Sequence, residues 1–471
     1  MPVPESVRTP GVYIGYDLTR ARSAPSLGAQ KALLIGYRTD AEGTATSNIP
    51  QRITASKDGE ALFGVGSELD LMIKAAADAQ PRVDLYAAGI EPPTGAEATI
   101  DVTLSSGPAT ATGQLSIWVG GRPVTTPIDI GDTITNVAAN WVAAHDVIAD
   151  MPTTASATAG VITITYRHDG LTGNDTVIRV ELNGGDGILT TTPTALAGGT
   201  GAMDLTGVLA EIEPDRYHVI VCSENTAAAG QALRDHCNAN ADPTEQRGQA
   251  AIIAHNGTLG DAETLAAAIN AGRVQVVASP TNERHPGQLA AAWAAVRAYR
   301  QSLNPGANMN SEIIRGLPSP RTNLLGSEIE GALHAGVAPL KGVAGNQLAM
   351  VRSVSTYTET AAGVPDDTIL DTFTLTVLDA LRDDIGQVQG VRFAQEKLTD
   401  ALLDAMRSTI LERLKAREAD QWVEQVDDLA DQVVVVRDPA VPGRANQTIP
   451  AAVVQNLNII ASTIELRIIT G

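Results

Sequence analysis

Apolar and polar positions divide the chain into segments that follow different periods. Lys31 to Tyr37 (KALLIGY) is a continuous apolar run, as expected of a strand covered on both faces. Ala61, Leu62, Val65, Leu69, Met72, Ile73 and Ala76 then recur at roughly helical spacing within Ser56 to Asp78, and Val83 to Ala88 (VDLYAA) forms a second buried strand. This is the β-α-β rhythm of a parallel sheet. The rhythm resumes with short apolar strands at Tyr217 to Cys222, Ala250 to Ala254 and Val274 to Ala278, separated by helical Thr226 to Cys237 and Asp261 to Ala271. An Ala-rich helix over Gly287 to Gln301 leads into a Pro/Gly/Asn-punctuated stretch from Leu303 to Pro320.

Between these halves, from about Gly89 to Gly198, the chain turns rich in Thr, Gly, Asp and Val. Strand patterns lie at Ala98 to Leu104, Gln114 to Val119, Gly160 to Tyr166 and Thr176 to Leu182, with one helix around Ile134 to Ala149. The reading is an inserted, mainly β domain, which a host fold tolerates where the ends of the broken segment lie close together. From Asn323 the period changes again, to an apolar helix (LLGSEIEGALHAG), a strand around Gln347 to Tyr357 and two long helices through Trp422. Leu398, Leu402, Met406, Ile410 and Leu414 share one helix face, read as core.

Both ends alternate like strands. After Pro10 and Gly11, the positions Val12, Ile14, Tyr16 and Leu18 face one way, and a Ser/Pro/Gly passage from Ser23 to Gly28 detaches them from the first buried strand. Near the other end Ile460, Ile464, Leu466 and Ile468 share a face, opposite Glu465 and Arg467. The preceding candidate, Val433 to Val436, lies across a Pro/Gly/Asn-rich passage with no tight hairpin signal, so the last strand is expected to pair with distant or foreign strands. The fold class expected is an α/β core domain with an inserted mainly-β domain, plus an α+β C-terminal domain with extended N- and C-terminal arms. The expected boundaries are an arm over 1–24, an α/β domain over 25–88 and 200–322, the insertion over 89–199, a C-terminal domain over 323–437 and an arm over 438–471.

Composition narrows the classes. At 471 residues the chain exceeds one typical core, and 44% apolar with 18% charged residues describes a globular protein. Aromatics at 3% argue against carbohydrate-binding or base-stacking surfaces, and a net charge of −21 argues against nucleic acid as a partner. The start, MPVPESVRTPGVY, shows no secretory pattern, so synthesis in the cytoplasm is expected; no apolar stretch reaches the roughly 20 residues of a membrane span, so no membrane insertion is expected. Cys222 and Cys237 are read as buried, reduced thiols.

The search for chemistry finds no Walker loop, no HExxH and no G-x-S-x-G, and GVGSEL (Gly64, Gly66) lacks the third glycine of a dinucleotide fingerprint. His145, His168, His218, His236, His255, His285 and His334 lie far apart without ligand spacing and are read as surface or satisfied structural residues. GGTG at Gly198 to Gly201 reads as a domain-junction turn. The acidic doublets Asp366–Asp367, Asp383–Asp384 and Asp427–Asp428 read as solvated helix ends. No catalytic residue, cofactor or metal is expected. Two other classes stay open, an α/β hydrolase-like enzyme with a β-rich accessory domain and a surface or receptor-binding structural protein.

TPGVYI (Thr9 to Ile14), ALFGVGSEL (Ala61 to Leu69), the GGTG junction, VRSVSTYT (Val351 to Thr358), DPAVPGRAN (Asp438 to Asn446) and IPAAVVQNLNIIASTIEL (Ile449 to Leu466) together resemble a contractile tail sheath protein of the Mu-like myophage or tailocin kind. Where such sheaths often carry an Arg-Pro-Leu-Asn-Gly-like turn, this chain has NPGANMNS (Asn304 to Ser311). The resemblance implies a virion tail component without catalysis. It implies hexameric rings stacked helically around a tail tube, whose contraction drives the tube through a host envelope using free energy stored in subunit packing. The partners implied are further copies of the chain through N- and C-terminal arm exchange, the tail tube protein, and baseplate and tail terminator proteins. The insertion is expected to face outward. The C-terminal domain is expected to face the tube, with Arg407, Arg413, Lys415 and Arg417 as tube-facing candidates; Arg413 and Arg417 stand one helical turn apart. The arm residues Val12, Ile14, Tyr16, Leu18, Ile460, Ile464, Leu466 and Ile468 are the inter-subunit candidates.

Overall fold

A computed structural model describes residues 28–39 and 43–463. Val12, Ile14, Tyr16, Leu18, Ile464, Leu466 and Ile468 lie outside the described residues. The chain opens with β1 (Lys31–Tyr37), β2 (Gln51–Ile53), α1 (Asp58–Phe63), α2 (Glu68–Ala79) and β3 (Asp84–Ile90). The insertion follows with β4 (Glu97–Ser106), β5 (Gly113–Val119), β6 (Arg122–Ile128), α3 (Ile134–Asp146), β7 (Thr153–Thr158), β8 (Val161–Asp169), β9 (Ile178–Gly184) and β10 (Ile188–Thr190). The first body then resumes with α4 (Thr206–Ile212), β11 (Val219–Cys222), α5 (Ala227–Ala241), β12 (Ala250–His255), α6 (Leu259–Ile269), β13 (Val274–Ala278), α7 (Pro286–Leu303), β14 (Ile313–Ile314), α8 (Gly326–His334), β15 (Val337–Val343) and β16 (Gln347–Met350). Last come α9 (Thr372–Phe393), α10 (Asp400–Ala419), β17 (Val423–Glu424), α11 (Val426–Leu429), β18 (Val434–Arg437), β19 (Ala445–Thr448) and β20 (Ala452–Val453).

The body is built on a nine-stranded sheet in the order β14-β16-β15-β13-β12-β11-β1-β3-β2. The six strands from β15 to β3 run parallel, and β2, β16 and β14 close the edges antiparallel. Side chains alternate between the two faces, so Ala32 and Leu34 pack with α2 and α7 while Leu33 and Ile35 pack with α4, α5 and α6. This is why the strands read as continuous apolar runs. The helix expected over Ser56 to Asp78 is two helices, because Gly64 and Gly66 take positive φ (94° and 72°) and the Ser67 hydroxyl then caps α2 by accepting from the Asp70 N–H.

The insertion packs a sheet β10-β4-β8-β7 against a sheet β6-β5-β9, with α3 beside them. Buried Trp141 anchors its core, its Nε1–H reaching the Val124 carbonyl at 3.0 Å. Its neck is short: Ala96 and Thr200 exchange backbone hydrogen bonds at 3.3 and 3.0 Å. The GGTG turn belongs to this neck. A Cβ on Gly199 would sit 2.4 Å from the Gly170 carbonyl oxygen, and Gly201 has φ 105°.

The boundary expected at 322/323 falls elsewhere. Strands β15 and β16 extend the main sheet, and Leu340, Leu348, Met350 and Val354 join its core. The change of period at Asn323 therefore marks a switch from helical crossovers to a hairpin, while a separate core begins with α9, gathering Phe373, Val377, Leu381, Ile410, Leu414 and Trp422. Only the second half of the Leu398-to-Leu414 stripe is fully buried.

The passage expected to isolate Val433 to Val436 is instead a hairpin loop. Strand β18 pairs with β19, and Asp438 Oδ1 accepts from the N–H groups of Ala440 and Val441 at 2.8 and 3.0 Å to turn the chain. Beyond β20, which pairs with β17, residues 454–463 form no strand within the described chain, and Ile460 is 77% exposed. Within the described residues of the single chain, positions 460–463 of the strand expected to pair with neighbouring subunits have no strand partner.

Candidate functional site

The helices after β1 and β11 lie on opposite faces of the sheet, so the carboxyl ends of these adjacent strands define the switch point where open α/β sheets place ligands. Here the insertion occupies that crevice. Tyr166 of β8 donates its hydroxyl to Glu68 Oε2 at 3.2 Å, where Glu68 opens α2. His285 caps α7 by accepting the Gly287 N–H on Nδ1 at 3.2 Å, and its Nε2 contacts the Thr172 carbonyl of the insertion at 2.9 Å. Asn256 donates to the Asp175 carbonyl at 3.0 Å, and Arg179 pairs with Glu283 at 2.6 Å. The void left beside Glu68, Tyr166 and His285 is about 10 Å³, at the threshold for one water.

Burial pushes the Glu224 and Asp175 carboxyls above their ordinary range, with Glu68 nearby adding to both shifts. Glu224 still accepts from the Met203 N–H at 2.6 Å and the Thr226 hydroxyl at 2.7 Å. Burial likewise pushes the Cys237 thiol up to about 12 and the Cys222 thiol upward, so neither is poised as a thiolate. The crevice is a packed polar joint between two domains.

The C-terminal unit revises the reading of its arginines. Asp384 on α9 accepts from Arg413 at 3.0 and 2.6 Å and from Arg417 at 3.2 and 2.7 Å, all three largely buried. Arg413 and Arg417 do stand one turn apart on α10, but they face α9. The Asp383–Asp384 doublet is correspondingly no solvated helix end, since Asp383 pairs with Arg216 of the body. Arg407 donates to the Val433 and Ala430 carbonyls at 2.9 and 2.7 Å, holding the segment that leads into β18. Lys415 remains outward and pairs with exposed Asp427 at 2.5 Å. Two arginines at i and i+4 on one helix, with an acidic doublet on the preceding helix, were the signal for this internal cluster.

The chain is similar to known proteins in both sequence and fold. Residues 198–356 match the phage tail sheath protein central domain. The Mu-like prophage FluMu tail sheath protein of Haemophilus influenzae is 26% identical, with 98% of each chain covered. In fold, the chain is similar to the anti-feeding prophage helical sheath in the contracted state (TM-score 0.51, 11% identity, 98% and 99% of the two chains). It is also similar to a chain of the six-fold symmetrised anti-feeding prophage baseplate structure (TM-score 0.50, 12% identity, 98% and 100%). Residues 198–356 thus match the sheath family's central domain, and the chain along its length is similar to sheath homologues. Those homologues are structural proteins and not enzymes.

Proposed function

We propose that this chain is the subunit of a contractile tail sheath, polymerising as stacked hexameric rings around a tail tube and contracting to drive the tube through a host envelope. The observation that carries this is the similarity to a tail sheath protein along 98% of both chains, joined to the likeness of fold to a sheath in the contracted state. Its partners in this reading are further sheath subunits, the tube, and baseplate and terminator proteins, within a virion tail. The insertion joins the body through a short two-segment neck, closed where Ala96 and Thr200 bond to each other, a placement suited to an outward decoration.

Arm exchange has a natural acceptor in the C-terminal unit. Hairpin β18–β19 has two strands, and two strands alone are marginal in water. Val435 faces the core while Val434 and Val436 on the opposite face are exposed, so strands added at its edges from Val12–Leu18 and Ile460–Ile468 of neighbouring subunits would complete a covered sheet. Arg407 and Lys415 stay near the surface of this unit as tube-side candidates, whereas Arg413 and Arg417 serve its interior. Negative-stain microscopy of the purified chain tests the reading. Tubes or stacked rings are expected, and discrete monomers from both the full chain and the chain mixed with tail tube would overturn it.

A further inference from the structure

A cavity of about 290 Å³ lies at the amino ends of the parallel strands, the opposite end of the sheet from the insertion. Its floor is Arg216, His218, Gly248, Gln249 and Arg273 of the body, and its roof is α9 with Asp379, Asp383 and Asp384. Three of its arginines have carboxylate partners: Arg216 pairs with Asp383, Arg273 with Asp379 and Arg417 with Asp384. The fourth is Arg297 of α7, which is 2% exposed and has no carboxylate partner among the described residues.

Among the described residues Arg297 bonds only to neutral groups. Its Nε donates to Gln301 Oε1 at 3.2 Å and one Nη1–H to Gln275 Oε1 at 3.3 Å, an acceptor already taken by Trp293 Nε1 at 2.8 Å. A guanidinium has five N–H donors, so three remain. Burial lowers its pKa to about 10, which leaves it a cation at neutral pH. A buried cation without a counter-charge is expensive, and Arg297 lines the open space of this cavity. His218 adds a second donor: its Nδ1 accepts the Lys31 backbone N–H at 3.1 Å, so the ring proton sits on Nε2. Burial, with Arg216 and Lys31 close by, holds that ring neutral, its pKa down to about 3.

We propose that this cavity is an oxyanion-binding site in which Arg297 and His218 take a small carboxylate or phosphate between the body and the C-terminal unit. A guanidinium fork suits both, because each presents two oxygens at matching spacing. The volume sits at the small end of ligand sites and holds an ion the size of phosphate or succinate with water around it. The bound ion would touch walls from two domains and so strengthen their contact.

The test uses the purified full chain and does not depend on whether it assembles. Calorimetric and thermal-melting titrations with inorganic phosphate and with succinate, each against chloride at equal ionic strength, are expected to show saturable binding and a raised Tm for at least one. Binding of phosphate alone assigns a phosphoryl site, and of succinate alone a carboxylate site. Arg297→Gln is expected to weaken binding roughly tenfold or more, and His218→Ala to weaken it less. If Arg297→Gln does not fold, Arg297→Lys decides, since it keeps the charge and loses the fork. Absence of saturable binding by the wild-type chain, or undiminished affinity in the folded Arg297 variant, overturns the proposal.

Discussion

Arg273 grips Asp379 through two hydrogen bonds, Nη1 to Oδ2 at 2.7 Å and Nη2 to Oδ1 at 3.0 Å, tying the start of β13 to the middle of α9. Both groups are nearly buried, and a Cβ on Gly248 would lie 2.1 Å from Asp379 Oδ2, so the backbone at Gly248 makes room for the pair. Asp379→Ala removes one partner and strands the other, which is expected to cost about 3 kcal/mol of the docking between body and C-terminal unit. Gly248→Ala should weaken the same joint without changing any charge. Hydrogen exchange over α9 and α10 reads both, and unchanged protection in the two variants would show that the pair bears no load.

Asp384 carries the C-terminal unit in the same manner. Burial raises its pKa, but the hydrogen bonds and charges of Arg417 and Arg413 outweigh this and hold the carboxyl below its ordinary value of 3.8. A depressed folded pKa stabilises above the unfolded value and is lost as pH falls through the folded one. The unit is therefore expected to hold from neutral pH down to about 4 and to loosen below that. Asp384→Asn should destabilise it at pH 7, with the difference from wild type shrinking below pH 4. Urea midpoints across that range check this. Charge reversal at Arg413 and Arg417 is expected to unfold the unit.

The joint between insertion and body titrates the other way. Burial raises Glu224 and Asp175, so these carboxyls bind protons more readily when docked than when freed, and docking should tighten as pH falls from 7 towards 5. Tyr166→Phe strands Glu68 Oε2 and is expected to cost roughly 1–3 kcal/mol. Limited proteolysis at the Pro92–Ala96 and Gly198–Gly201 neck reads both effects. Cleavage that is equally fast at pH 5 and 7 would contradict the charge argument.

Replacing 97–199 by a short Gly/Ser linker should leave the body folded, because Ala96 and Thr200 are hydrogen-bonded neighbours and the surface uncovered is the polar joint. The same variant is expected to form tubes. A folded variant that cannot polymerise would place the insertion in the lattice.

Val436→Lys alters an exposed face of β18 without touching its core side, so the monomer is expected to keep its stability within about 0.5 kcal/mol. In the arm-exchange reading it should suppress tube formation. Deleting residues 1–17 should do the same, and normal tubes from both would end that reading.

The sequence alone determined the α/β body and the mainly β insertion, because strands buried on both faces must be apolar throughout while a small sandwich must alternate. It also carried the resemblance to sheath proteins, through motifs spread over both ends of the chain. Other features depended on distance in space. Arg413, Arg417 and Asp384 are separated by 29 and 33 positions, and nothing in composition distinguishes a buried cluster from a solvated charged face. The hairpin β18–β19 was hidden because its turn is closed by Asp438 and carries no Asn-Gly signal. The filled switch point and an Arg297 without a carboxylate partner among the described residues exist only once distant segments meet, since whether a charge has a partner is decided by what packs against it.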